Sequence, residues 1–247
     1  MGTLFQDIRF GLRTLAKNPG FAAIAVLTLA MGIGANTALF SVVSGVLLNP
    51  LPYPQADQII VIGQNKAVFV NGSVSYPNFR DWRKDNQAFS AMAVYRQRSF
   101  SFTGIGDAEQ VNGEFISTDF FPLLGVKPLL GRTFVEGEDE IGRAPIALVS
   151  EELWKRKFGG TADVIGKSLT LDGRDYSIVG VMPAKFDLYL QTARVKEVYL
   201  PIGQWENNLL PDRGAGLGMR VVGRMKPGVT LAQANLDMDR VSRNLAT

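Results

Sequence analysis

The chain has 247 residues, 46% hydrophobic and 20% charged, a globular rather than disordered composition. It contains no cysteine and no histidine, which excludes disulfides, thiol nucleophiles, thiolate metal sites, a Ser-His-Asp triad, a zinc hydrolase and a histidine pH switch. The net charge of +3 is too small to argue for nucleic-acid binding, and the excess sits at the N-terminus: residues 49–247 hold 23 basic and 22 acidic side chains.

Residues 1–20 read as an amphipathic helix ahead of a break. Leu4, Ile8, Leu12 and Leu15 form an apolar stripe, and Arg9, Arg13 and Lys17 recur every four residues on another face. That pairing of stripes suits the headgroup boundary of the inner leaflet; the alternative is a solvated amphipathic helix packed on other protein. Asn18-Pro19-Gly20 then turns the chain.

Residues 21–48 carry no charge. As a helix they would run roughly 42 Å, against a hydrocarbon core of about 30 Å. Three readings fit: a transmembrane helix, a cleaved signal peptide and a buried core helix. The apolar run resumes after Gly34–Ala38 with Leu39, Phe40, Val42 and Val43, which favours the first. Arg9, Arg13 and Lys17 precede the segment and no Lys or Arg follows before Lys66, so the positive-inside rule puts the N-terminus in the cytoplasm. Ala30, Gly34 and Ala38, four apart, form a small-residue face suited to close packing against another helix.

Pro50, Pro52 and Pro54 end this helix. Gln58–Gln64 reads as a strand, Ser75-Tyr76-Pro77 opens a helix over Pro77–Lys84 with Pro in its first turn, and Phe89–Phe102 reads as a second strand: a β-α-β opening. Glu109–Ser117 is expected to be a strand. Asp119–Leu124 is a short helix with Asp119 as cap and Gly125 as stop. Ala144–Val149 is a buried strand, and Ser150 caps a helix to Phe158. Asp172-Gly173 turns a hairpin of Ser168–Asp172 and Asp175–Val181. Glu197–Pro201 and Arg220–Met225 are strands, and Thr230 caps a last helix through Leu245. This β-α ending completes an α+β module split by an insertion, apart from a closing strand of its second half.

Catalytic motifs fail on inspection. Thr161–Ser168 ends in Gly-Lys-Ser, but Thr161 stands where a phosphate loop needs glycine, and a helix precedes it instead of a strand. Glu136, Glu138, Asp139 and Glu140 lack a calcium-loop register and read as a solvated loop. Lys155-Arg156-Lys157 reads as a solvated helix end. Phe79, Trp82, Phe115, Phe120, Phe121, Trp154, Phe158 and Phe186 read as packing. No pair of carboxylates is singled out for acid-base work. No cofactor is expected, and neither a catalytic nor a metal residue can be named.

The phrase Ala38-Leu-Phe-Ser-Val-Val-Ser-Gly-Val-Leu-Leu-Asn-Pro-Leu-Pro-Tyr-Pro54 resembles the first transmembrane helix of MacB-like ABC transporter permeases of the FtsX-like permease family. Ser75–Trp82, Gly113–Glu136, Ile146–Pro183 and Arg220–Leu231 resemble that family's periplasmic core. The resemblance implies an α+β fold: a porter-like part at 56–106 and 218–247, and a mostly-β, sabre-like insertion at 107–217. It implies an inner-membrane permease with residues 49–247 in the periplasm, relaying ATP-driven motion for efflux or periplasmic work without catalysis of its own. Implied partners are membrane lipid, the remaining permease helices, a separate ABC ATPase subunit and a second copy as homodimer. A periplasmic adaptor or outer-membrane partner is left open, and nucleic acid is not expected. The chain is expected to be the N-terminal fragment of a longer permease. The alternative is a stand-alone, membrane-anchored binding or scaffolding module; an exported enzyme using carboxylates alone is a third.

Overall fold

The computed structural model describes residues 9–10, 13, 16–43, 53–66, 69–183 and 196–245. It divides into two units, residues 1–50 and 51–247. In the first, residues 9–10, 13 and 16–17 are helical, Asn18 interrupts, and helix α1 runs Pro19–Val43. Pro19 opens α1, where a missing N–H costs nothing. The Thr28 hydroxyl donates to the Ile24 carbonyl at 2.8 Å, so its polarity is spent inside the helix. Phe21, Leu27, Met31, Leu39 and Phe40 are all exposed. A helix apolar on every side has the length and composition to cross a membrane. The parts of the sequence reading that fall on Met1–Ile8, Leu12, Leu15, Ser44–Pro52 and Phe186 lie outside the described residues.

The second unit is mixed α+β. Its strands are β1 (Ile59–Ile62), β2 (Gln64–Lys66), β3 (Phe69–Gly72), β4 (Phe89–Thr103), β5 (Glu109–Ile116) and β6 (Leu130–Gly131). They continue as β7 (Ile146–Ser150), β8 (Ser168–Leu171), β9 (Arg174–Met182), β10 (Val198–Pro201) and β11 (Arg220–Met225). Four helices intervene: α2 (Tyr76–Asp85), α3 (Phe120–Leu124), α4 (Glu151–Phe158) and α5 (Leu231–Asn244). Local chemistry sets their ends. The Ser75 and Ser150 hydroxyls accept from Asn78 and Leu153 N–H. Thr230 forms a full capping box with Gln233. Asp172 at φ 49° and Gly173 at φ 79° make the tight β8–β9 turn, which suits residues that tolerate positive φ.

Three expectations need correction. The strand drawn over Gln58–Gln64 breaks at Gly63, and Gln64 begins the separate β2–β3 hairpin. Asp119 does not cap α3 with its side chain; its carboxylate turns to Arg83 at 3.2 Å, since an ion pair outbids a neutral cap for one oxygen. The acidic loop is not wholly solvated, because Asp139 is 4% exposed.

The strand order is β1-β11-β4-β5-β10-β7-β9-β6, and β8 pairs with both β4 and β9. β1 and β4 each run antiparallel to β11, so they are parallel to one another with β11 between them. That is a split β-α-β unit, with α2 as its crossover. The remaining pairings close a ring: β4 to β5, β5 to β10, β10 to β7, β7 to β9, β9 to β8, and β8 back to β4. Among the described residues each of these six strands has a neighbour on both edges over part of its length. The ring is filled by Phe100, Phe102, Phe115, Leu169, Ile178 and Trp205, in one cluster with the side chains beneath α2 and α5. A second cluster, with Tyr95, Phe120, Phe121 and Tyr199, lies under α3. The expected aromatic packing holds for Phe79, Trp82, Phe115, Phe120, Phe121 and Phe158, all buried, while Trp154 is half-buried.

Candidate functional site

A polar seam lies between the split β-α-β unit and the ring. β4 belongs to both. Its residues from Phe89 to Tyr95 pair with β11, and those from Tyr95 to Phe102 pair with β5. Fifteen residues of one strand therefore run from one part into the other without a hinge.

Side chains reinforce this backbone continuity. Arg83, in the last turn of α2, reaches Asp119 at 3.2 Å and Asp139 at 3.9 Å. The Thr118 N–H donates to the Asp139 carboxylate at 3.2 Å, and the Tyr76 hydroxyl donates to the Asp139 carbonyl at 3.3 Å. The helix of the split unit thus grips the turn ahead of α3. Burial raises the Asp119 carboxyl above its usual range, although Arg83 beside it pulls the other way. Burial, helped by the Asp139 charge, pushes the Tyr76 hydroxyl up to about 12, so it stays a donor. On the other flank, the Arg96 guanidinium lies 4.0 Å from the Trp205 ring centroid and its Nε donates to the Leu217 carbonyl at 2.7 Å. Burial, with Arg98 nearby, lowers the Arg96 pKa from its ordinary value. Gly203 lies against the 139–140 backbone so closely that a Cβ there would stand 2.3 Å from the Asp139 carbonyl oxygen.

The other charged features are also paired. Arg156 bridges Glu109 and Glu197, both at 2.7 Å, and Lys157 reaches Glu109 at 3.2 Å. The Lys155–Lys157 run is therefore more than a solvated helix end; it ties α4 to β5 and to the start of β10. The Arg156 contact, set against slight burial, holds the Glu109 carboxyl below its usual range. Lys167 of the Gly-Lys-Ser sequence pairs with Asp163 at 2.8 Å. Among the described residues no group of three or more acidic side chains is placed to hold a metal ion. The Tyr95 hydroxyl and Gln204 Oε1 are buried without a hydrogen-bond partner among the described residues.

Ala30, Gly34 and Ala38 are exposed on α1, and a Cβ at Gly34 would meet nothing within 4 Å. Arg9, Arg13 and Lys17 are helical and exposed. Arg83 and Arg96 carry no sequence motif, and Asp139 reads from the sequence as part of a solvated loop.

Fold and seam define a class: a mixed α+β domain, half split β-α-β unit and half small closed ring, that follows in sequence a helix fit to cross a membrane. The chain belongs to the MacB-like periplasmic core domain family, whose pattern matches residues 22–241. It is a periplasmic domain of the MacB/FtsX-like ABC transporter permease kind. The macrolide export ATP-binding/permease protein MacB of Shigella dysenteriae serotype 1 is 24% identical over 154 residues, 62% of this chain and 23% of that protein. The chain thus spans less than a quarter of that relative. The periplasmic region of MacB from Actinobacillus actinomycetemcomitans superposes with a TM-score of 0.55 at 15% identity, covering 76% of this chain and 82% of that one. The extracellular domain of the noncanonic ABC-type transporter YknZ from Gram-positive bacteria gives 0.54 at 12%, covering 76% and 94%. At these identities the two structures speak for the fold alone.

Proposed function

We propose that this chain is the membrane-anchored periplasmic part of an ABC-type permease and relays ATP-driven motion of the transmembrane helices, for efflux or other periplasmic work. It performs no catalysis of its own, and ATP is hydrolysed by a separate subunit or domain. The observation that carries this reading is the shared strand β4 with its ion-paired seam. A relay has to move as one body, and here the part next in sequence to α1 has no hinge to the ring. In this reading α1 spans the inner membrane with its N-terminus cytoplasmic. Arg9, Arg13 and Lys17 lie at the inner headgroups, and Ala30, Gly34 and Ala38 face another helix of the permease.

Spin-label distances test the relay in the full permease, reconstituted in lipid with its ATPase. The absence of cysteine makes labelling selective in this part of the chain. Labels at the exposed Leu129 and Leu236 should keep their separation when ATP is added. Labels at Leu236 and Arg9 should change theirs. A fixed second distance through the ATP cycle overturns the proposal.

A further inference from the structure

The ladder between β4 and β11 ends at Tyr95 and Arg220, which stand directly opposite one another. Directly opposite residues of an antiparallel pair put their side chains on the same face of the sheet, close enough to interact. A cavity of about 270 Å³ lies at this point, lined by Tyr95, Arg96, Gln97, Gly218 and Arg220. It sits where β4 passes from the split unit into the ring.

Two polar groups here are unengaged. Tyr95 is 4% exposed, and its hydroxyl has no hydrogen-bond partner among the described residues. Buried hydroxyls are ordinarily paired, because burial costs them their water. Arg220 is half-buried, and among the described residues its guanidinium makes neither an ion pair nor a hydrogen bond. The neighbouring arginines differ. Arg96 Nε donates to the Leu217 carbonyl beneath its stack on Trp205, and Arg98 pairs with Asp172 at 2.9 Å. Burial, with the Glu114 charge, pushes the Tyr95 hydroxyl up to about 12, although Arg220 pulls the other way, so it keeps its proton. Both unengaged groups are therefore donors, and one of them is a cation. A single anionic acceptor satisfies the two together.

Size and charge choose among anions. The cavity falls just below the ordinary range of ligand pockets, about 300–1,000 Å³, so the molecule is small. Only one guanidinium is unengaged, and Glu114, buried and directly opposite Gln97, shares the face of Tyr95 and Arg220. A second negative charge on the ligand would meet Glu114 with no cation to offset it. A carboxylate carries one charge. Its two oxygens match the planar fork of a guanidinium and keep lone pairs for a phenol.

We propose that the cavity between Tyr95 and Arg220 binds the carboxylate of a small organic acid, with the Arg220 guanidinium taking its charge and the Tyr95 hydroxyl donating to one of its oxygens. The acid then bridges β11 and β4 at the seam, one donor coming from each strand.

The test uses the whole 247-residue chain in detergent micelles, carbon-13 labelled at the Cζ of its six tyrosines. Tyr95→Phe assigns the Tyr95 resonance by its disappearance. Acetate, butyrate and benzoate are added at constant ionic strength, with acetamide, benzamide and phosphate as comparators. At least one acid should shift the Tyr95 resonance saturably and, at about 50 mM, raise the Tm read from tryptophan fluorescence; the amides should do neither. Arg220→Gln should weaken that acid roughly tenfold or more. Its melt without ligand should match the native one, since the Arg220 side chain holds nothing else. Tyr95→Phe removes only an unpaired hydroxyl, so it should melt no lower than the native chain without ligand and lose most of the rise with acid. Four results overturn the proposal: amides as effective as acids, phosphate more effective than every acid, a response that survives Arg220→Gln, or none to any of the three acids by about 50 mM. Should Arg220→Gln fail to fold, an undiminished acid-induced rise in Tyr95→Phe overturns it as well.

Discussion

Asp237 is the side chain whose replacement tests the packing of the split unit most sharply. It stands on α5 with its side chain 11% exposed. Oδ2 accepts from the N–H of Gln87 at 2.6 Å and of Ala88 at 2.9 Å, and Oδ1 takes Arg240 at 2.7 Å. Gln87 and Ala88 link α2 to β4, so one carboxylate fastens the last helix to the first crossover. Asp237→Ala leaves two backbone donors without their acceptor. Hydrogen bonds to charged groups contribute about 1.5–3 kcal/mol each. The two share one oxygen and the Arg240 pair is half-exposed, so we expect a total loss of about 3 kcal/mol. Asp237→Asn keeps a neutral acceptor and should lose about 1–2 kcal/mol. In a domain of this size each kcal/mol lowers Tm by roughly 2–4 °C. The pH dependence is a second readout. Burial pushes the Asp237 carboxyl up, but the Gln87 and Ala88 N–H groups and Arg240 outweigh it and hold the pKa below its usual value. A depressed folded pKa means stability that is present above the unfolded value, about 3.9, and lost as pH falls through the folded one. The gap between the native chain and Asp237→Asn should therefore be flat from about pH 7 to 5 and close in stronger acid. The three tryptophans, Trp82, Trp154 and Trp205, all lie in the second unit, so thermal melts followed by their fluorescence report on it alone. Variants that melt with the native chain at pH 7, or a gap that does not close by about pH 2, refute the reasoning.

Gly203→Ala should cost about 1–3 kcal/mol or more, because the new methyl meets backbone of the 139–140 turn that no side-chain rotation can clear. Its check is a lower denaturant midpoint, and an unchanged midpoint means the turn does not seat there. Gly34→Leu should leave the tryptophan-monitored melt unchanged and weaken co-purification with the rest of the permease, as expected if Ala30, Gly34 and Ala38 face a helix. Equal recovery of the partner helices removes that face from the proposal.

Much of the local structure was legible because its causes are local. Ser150 and Thr230 cap helices through hydroxyls a few residues from the amides they bind, and Ser75-Tyr76-Pro77 opens one. Asp172-Gly173 makes its turn from two neighbouring residues. The Gln233 half of the last capping box was also there to be read, since Thr230-Leu-Ala-Gln233 has the required spacing. The ring was not legible. Its closure depends on β8 meeting Phe102 and Thr103 of β4 across more than sixty residues, and strand composition says little about which strand will be the neighbour. The seam failed for the same reason. Nothing near Asp139 in sequence reveals that Thr118, Tyr76 and Arg83 will surround it, so an acidic run looked solvated when one of its members was buried.

The distribution of these contacts bears on how a displacement would travel through the domain. In the proposed relay, force arrives through the polypeptide that leads from α1 into β1. β1 hands it to β11 and β11 to the first half of β4, in each case through a ladder of backbone hydrogen bonds. The second half of β4 is already a member of the ring, so the load crosses the seam inside one strand. Pairing of β8 with both β4 and β9 closes the ring and opposes slip between its strands. Arg83 on Asp119 and Asp139, and Arg96 on Trp205, then resist the remaining freedom, rotation of one part about the β4 axis. The surface ion pair of Arg83 with Asp119 contributes little by itself. The buried Asp139, with its backbone donor from Thr118, is the costly one to disturb, because an unpaired carboxylate there would have no water to turn to. Torsional stiffness at the seam therefore rests on Asp139 more than on the exposed pair. Asp139→Asn should loosen the domain against twist while leaving the ladders, and with them the fold, in place.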